Sequence, residues 1–143
     1  MEDILQTYRG ADPRTLSPLV LAYVGDAVFE VLVRLDVLSG GNAPVQKLHK
    51  AAREQVKAAA QAGLYHRIAE TLTEEEQAVY RRGRNTKTHR TPKNAEMMDY
   101  REATGVEALF GYLYLQNRKE RLIALYQAGK EEPHGGETGA ESL

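Results

Sequence analysis

The chain has 143 residues, which suits one compact domain, and it has no cysteine, which excludes disulfides and thiolate metal sites. Any metal must therefore be held by oxygen or imidazole ligands, which favours hard cations such as magnesium or manganese. The formal charge of −1 is unevenly distributed: residues 130–143 hold four glutamates and one lysine and carry −3, which leaves +2 for residues 1–129.

These features predict a folded domain over residues 1–129, followed by a disordered acidic tail over residues 130–143. No segment has the pattern of a secretory leader, and none approaches the roughly 20 apolar residues of a membrane-spanning helix. We therefore expect a cytoplasmic protein without a membrane partner.

The first predicted helix begins at Ser17-Pro18, because serine is a good N-cap and proline suits the first helical position. It runs to about Asp36 or Leu38 and ends at Gly40-Gly41. Its apolar residues cover more than one face, which predicts burial on several sides.

A second helix is predicted from Pro44 to Ala62, with Gly63 as its stop. One side of it is basic, through Lys47, Lys50, Arg53 and Lys57 at helical spacing. Thr73 and Glu76 form a capping box that starts a short helix, which Gly83 is expected to interrupt.

The next segment is basic and lacks apolar periodicity, which predicts a loop from Arg84 to Lys93. Residues 81–93 carry six cations and no acid, with hydroxyl and amide side chains between them. Such a surface suits phosphate groups, although a solvated connection is the ordinary alternative. The predicted RNA-contacting residues of this segment are Arg82, Arg84, Asn85, Lys87, Arg90, Lys93 and Asn94. The segment has no phenylalanine, tyrosine or tryptophan to stack on single-stranded bases, which favours a duplex.

A further helix is predicted from about Asn94, with a core stripe formed by Val106, Leu109, Phe110 and Leu113. A last helix is predicted over Arg118 to Ala128. No segment shows the sustained alternation of a strand, so the fold class is predicted to be all-α.

Two carboxylates lie within the most apolar predicted helices, Asp26 beside Gly25 and Glu107 one turn before Gly111. The small residues beside them allow close contact between helices. Burying an ionised carboxylate is costly unless it pairs with a cation, so two of them near small residues suggest one shared metal ion. Taken singly, each has a structural alternative, which is pairing with an arginine at a helix crossing. Glu30 could be an outer ligand, but Arg34 lies four residues later at ion-pair spacing.

Several separated motifs resemble the ribonuclease III superfamily. Tyr-Val-Gly-Asp-Ala-Val, which contains Asp26, resembles the Leu-Gly-Asp-Ala-Val core of its signature, and Val-Glu-Ala-Leu-Phe-Gly-Tyr-Leu-Tyr-Leu, which contains Glu107, resembles its Glu-Ala-Leu-Ile-Gly helix. The Mini-ribonuclease III family is closer still. Its resemblance rests on Leu48-His49-Lys50, Arg82-Gly83-Arg84-Asn85, Pro92-Lys93-Asn94, and Tyr100-Arg101 leading into Ala103-Thr104.

The resemblance implies a homodimeric, all-helical ribonuclease III domain that cleaves double-stranded RNA and leaves 5′-phosphate and 3′-hydroxyl ends. It implies Mg²⁺ as the cofactor, with Mn²⁺ as a substitute, and Asp26 and Glu107 as catalytic and metal-binding residues. The implied task is maturation of the large-subunit (23S) ribosomal RNA precursor, with a ribosomal protein as a candidate further partner.

The chain departs from full-length ribonuclease III at three acidic positions, which are Leu19, Ala22 and Thr104 here. It therefore brings fewer carboxylates to the site, and the number of metal ions stays open. Two other functions remain as alternatives: a non-catalytic RNA- or ribosome-binding module with a degenerate nuclease fold, and a helical protein-interaction domain.

Overall fold

A computed structural model describes residues 8–86 and 95–130 of the chain. Within these ranges the fold is all-α, as predicted. The short 3₁₀ turns Pro13–Thr15 and Ala69–Thr71 accompany six α-helices: α1 (Pro18–Ser39), α2 (Val45–Val56), α3 (Ala58–Ile68), α4 (Glu74–Arg84), α5 (Ala95–Leu115) and α6 (Lys119–Gly129). None of the described helices is long and apolar enough to cross a bilayer.

Helix α5 is the centre of the domain, and α1, α3 and α4 pack around it. The predicted stripe of Val106, Leu109, Phe110 and Leu113 is buried, with no side chain more than 1% exposed. Phe110 meets Phe29 of α1 edge to face, with ring centroids 5.6 Å apart. Residues 103–113 of α5 are thus enclosed by the other helices. The burial on several sides predicted for the first helix is wrong for the single chain, because Tyr23, Val31 and Leu35 of α1 are exposed.

The predicted N-caps mark the starts of α1 and α4 correctly. Ser17 accepts a hydrogen bond from the N–H of Val20 at the start of α1. The Thr73 hydroxyl accepts from the N–H of Glu76, whose carboxylate accepts from the N–H of Thr73, so the capping box of α4 is complete.

Three sequence predictions about helix boundaries are wrong, at residues 57, 63 and 83. The helix predicted from Pro44 to Ala62 is two helices, divided at Lys57, whose backbone is extended. Gly63 does not end α3, because Leu64 and Ile68 beyond it are buried and hold the helix on the core.

Gly83 likewise lies inside α4 and does not interrupt it. A Cβ atom there would lie 2.8 Å from the Cβ of Ala108 and 3.0 Å from the Cα of Gly105, so glycine allows α4 to contact α5 closely. The loop predicted from Arg84 therefore begins one residue later, and Arg81, Arg82 and Arg84 are helical. Residues 87–94 lie outside the described ranges.

Lys130, the last residue that the structure describes, contacts α1. Its ammonium group lies 2.9 Å from the carboxylate of Asp36 and ties the end of α6 to α1. The rest of the predicted tail, residues 131–143, lies outside the described part of the chain.

Candidate active site at the crossing of α1 and α5

Helices α1 and α5 touch backbone to backbone beside the two carboxylates. A Cβ atom at Gly25 would lie 1.7 Å from the backbone oxygen of Glu107, and one at Gly111 would lie 2.0 Å from that of Leu21. No side chain fits at either position, so the two glycines make this crossing possible. The close contact expected from the small residues is thus present.

The crossing brings Asp26 and Glu107 into one electrostatic environment. Burial raises the pKa of Glu107 to about 7, and the negative charge of Asp26 adds to the increase, whereas a hydrogen bond from Gln61 opposes it. A carboxylate that is both desolvated and near a second negative charge is stabilised by a cation.

Neither carboxylate takes part in a salt bridge within the described ranges, so an arginine at the crossing does not account for them. Glu107 instead accepts a hydrogen bond of 3.2 Å from the amide of Gln61. Glu30 pairs with Arg34 at 3.0 Å, as its spacing indicated, and this pairing argues against a role as an outer ligand.

Asp26 is exposed, so the expectation that both carboxylates are buried is wrong for the single chain. The reason is that the surrounding face of α1 is uncovered: Tyr23 is 80% exposed and Val31 56%. This face forms an apolar groove of about 820 Å³. Its lining includes Tyr23, Asp26, Glu30 and Val31 of α1 and Ile123 of α6.

The donor set suits a hard cation. Two carboxylates are within the usual number of protein ligands for magnesium, which keeps several of its waters. No group of three or more histidine or acidic side chains suited to a metal occurs within residues 8–86 and 95–130. Thr104, at one of the positions where an acid is missing, donates its hydroxyl to the backbone oxygen of Tyr100 at 3.0 Å.

Three of the seven predicted RNA-contacting residues lie within the described ranges. Arg82 is exposed and donates to the backbone oxygen of Leu16 at 3.3 Å, and it lines a depression with Arg14 and Arg118. Arg84 and Asn85 form the end of α4, where the Arg84 side chain donates to that of Asn85 at 3.1 Å. The remaining four, Lys87, Arg90, Lys93 and Asn94, lie outside the described residues.

The basic side of α2 is exposed at Lys47, Lys50 and Arg53, which line one shallow depression. Lys57 is instead paired with Glu54 at 2.7 Å. His66 lies on α3, where its Nε2 is 3.1 Å from the carboxylate of Glu102.

One residue of the site is not apparent from the sequence. Gln61 is only 3% exposed, yet its amide reaches Glu107 across the α3–α5 interface. The available signal was its isolation as the one polar side chain in the run Ala-Ala-Ala-Gln-Ala-Gly-Leu.

Comparison with known proteins identifies the family. The Ribonuclease III domain model matches residues 19–118. A Mini-ribonuclease 3 of Symbiobacterium thermophilum is 49% identical over 123 residues, covering 86% of this chain and 95% of that protein. One from Thermoanaerobacter is 52% identical over 108 residues, covering 76% of each. This chain belongs to the Mini-ribonuclease 3 family.

The fold agrees with that assignment. A crystal structure of a Fusobacterium nucleatum protein, 33% identical, superposes with a TM-score of 0.73 and covers 82% of this chain and 94% of its own. The chain is therefore an endoribonuclease of the ribonuclease III type, and its substrate is RNA. Enzymes of this family generally use a divalent metal, which fits the donor set of Asp26 and Glu107.

Proposed function

We propose that this enzyme cleaves double-stranded RNA with Mg²⁺, or Mn²⁺ as a substitute, held by Asp26 and Glu107. The observation that carries the proposal is the placement of two carboxylates at the α1–α5 crossing that have no cationic partner among residues 8–86 and 95–130, where the pKa of Glu107 is raised to about 7. When bound, the divalent ion supplies an activated water and a counter-charge for the oxygen that becomes anionic.

The chain's own residues would divide the remaining work between them. Asp26, on the exposed edge of the crossing, is accessible to a phosphate group, whereas Glu107 is held from behind by Gln61. Arg84, Asn85, Lys87, Arg90, Lys93 and Asn94 would bind backbone phosphates, and Arg82 would do so from α4. Lys50 and Arg53 of α2 would extend this surface.

The natural substrate would be the large-subunit (23S) ribosomal RNA precursor, processed in the cytoplasm, with a ribosomal protein as a further partner. Support for the double-stranded form comes from the chemistry of residues 81–94, which offer cations, hydroxyls and amides but no phenylalanine, tyrosine or tryptophan. Cations, hydroxyls and amides bind the sugar-phosphate backbone and the shape of a duplex more readily than they bind unpaired bases.

The active enzyme would be a homodimer formed through the apolar groove of α1. Tyr23, Val31 and Leu35 are 80%, 56% and 58% exposed, which is unusual for a helix of this composition. Because the groove borders Asp26, a twofold dimer through it would place two sites near one axis, and each site would cut one strand.

Cleavage of a perfect RNA duplex tests this proposal. The wild type should cut it with Mg²⁺ but not with Ca²⁺, and Asp26→Asn should reduce the rate by at least about a thousandfold. Glu70→Gln is the control, because this acid is exposed and does not line the groove of α1; it should retain most of the activity.

Two results would argue against the proposal in different ways. A wild type that binds the duplex without cutting it would favour the non-catalytic RNA-binding module. Full activity in Asp26→Asn would agree with cleavage of duplex RNA but would show that Asp26 does not belong to the catalytic site. For the RNA-contacting surface, replacing Arg84, Lys87 and Arg90 should weaken binding and lower the slope of log K against log salt by about one for each phosphate-binding cation removed.

A further inference from the structure

Gln61 connects three helices through one buried amide. Its side chain lies on α3 and is 3% exposed. The amide nitrogen donates to the backbone oxygen of Val56, the last residue of α2, at 2.9 Å, and to the carboxylate of Glu107 on α5 at 3.2 Å.

These two bonds fix the orientation of the amide. Both acceptors are oxygens, so the opposite orientation would place the amide oxygen against them and break both bonds. The amide oxygen itself is buried and accepts no hydrogen bond from the described residues.

A buried oxygen without a donor is unfavourable, and an apolar side chain of the same length would avoid it. Packing alone therefore does not explain a glutamine here. Capping the carbonyl of Val56 requires only one N–H, while the second N–H is directed to the carboxylate that the proposed function assigns to the metal.

We propose that Gln61 is a positioning residue that holds the carboxylate of Glu107 in the orientation that binds the divalent cation. This inference rests on the proposed function, because it gives Gln61 a role only if Glu107 is a metal ligand. A glutamate side chain has three rotatable bonds, and the amide restricts them from the side of α3. Partners that orient a ligand in this way typically change metal affinity by 10- to 100-fold when they are replaced.

The test compares Mn²⁺ binding by calorimetry with thermal stability in the full chain. Gln61→Met preserves the length of the side chain but removes both donors, and it should raise the Kd for Mn²⁺ at least about tenfold. It should also shrink the increase in Tm that Mn²⁺ produces, whereas KM for the RNA duplex should stay unchanged.

Gln77→Met is the matched control. Gln77 also joins helices through its amide, which donates to the backbone oxygen of Ala69 at 3.0 Å and accepts from the hydroxyl of Tyr65 at 3.2 Å. This variant should be less stable without a change in the Kd for Mn²⁺. Gln61→Asn is a milder second variant: its amide is one methylene shorter and cannot reach both acceptors, so it should also bind Mn²⁺ more weakly.

Two outcomes overturn the inference, and they are distinguishable. If the wild type binds Mn²⁺ and both Gln61 variants bind it equally well while being less stable, Gln61 only joins helices, and the metal site stands. If the wild type itself binds no Mn²⁺, the metal site fails and the role of Gln61 fails with it.

Discussion

Glu107 should destabilise the metal-free protein above neutral pH, and Glu107→Gln should remove that cost. The pKa of Glu107 in the folded state is raised from an ordinary 4.5 to about 7, chiefly by burial. A raised pKa means that the carboxyl stabilises the fold only while it is protonated. This stability is fully present below about pH 4.5 and is lost as the pH rises through 7.

The magnitude follows from the difference between the two pKa values. At about 1.36 kcal/mol per pKa unit, the ionised side chain costs up to about 3 kcal/mol at pH 8. A glutamine at this position carries no charge and still offers an oxygen to the amide of Gln61. Glu107→Gln should therefore be more stable than the wild type by about 2–3 kcal/mol at pH 8, and by less than about 1 kcal/mol at pH 5.

Urea denaturation in EDTA at the two pH values measures this difference. Glu70→Gln is the control: its side chain is exposed, so the change should be below about 0.5 kcal/mol at both pH values. Adding Mn²⁺ should stabilise the wild type but not Glu107→Gln. If Glu107→Gln is no more stable at pH 8, or if the difference does not depend on pH, Glu107 is not a desolvated carboxylate beside a second negative charge.

Three further predictions concern the helix crossing, the core and the groove. Gly25→Ala should destabilise the fold by more than about 3 kcal/mol in thermal denaturation, whereas Gly40→Ala, with its nearest neighbour at 3.4 Å, should not. Arg121→Met should cost about 3–5 kcal/mol in urea because it leaves Glu76, 2% exposed, without its cation. Since pairing with Arg121 lowers the pKa of Glu76, this destabilisation should shrink below about pH 4.5; a pH-independent effect would contradict the pairing. Val31→Asp should convert a dimer to a monomer in sedimentation velocity, whereas Val45→Asp, equally exposed on α2, should not; an unchanged dimer would place the interface elsewhere.

Local chemistry explains which helix boundaries could be predicted. Ser17, Thr73 and Glu76 act through hydrogen bonds to neighbouring residues, so their effect is visible in a short stretch of sequence. The division at Lys57 has no such signal, because neither glycine nor proline is present there. At this position the amide of Gln61 donates to the backbone oxygen of Val56, the last residue of α2, and also reaches Glu107 on α5.

The continuation of helices through Gly63 and Gly83 has the same origin. In isolation each glycine favours a helix end. In the fold, burial of Leu64 and Ile68 outweighs that preference in α3, and close packing on α5 requires a glycine at position 83 of α4. Tertiary contacts decide these positions, and a linear pattern does not contain them.

The sequence predicts part of the candidate site. Asp26 and Glu107 stood out because carboxylates are rare in apolar helices, and the glycines beside them indicated a close crossing. The exposure of Asp26 could not be predicted, because the apolar residues around it gave no sign that the single chain leaves that face of α1 uncovered. Gln61 was missed because a neutral amide does not conflict with its surroundings as a charge does.

The most direct test of the metal site is a crystal structure of the wild type grown with Mn²⁺, with anomalous scattering used to locate the ion. We predict an anomalous peak between the carboxylates of Asp26 and Glu107, and its disappearance in Asp26→Asn. A peak on other residues, or none at this crossing while the enzyme cleaves RNA under the same conditions, would contradict the claim that these two carboxylates hold the catalytic metal.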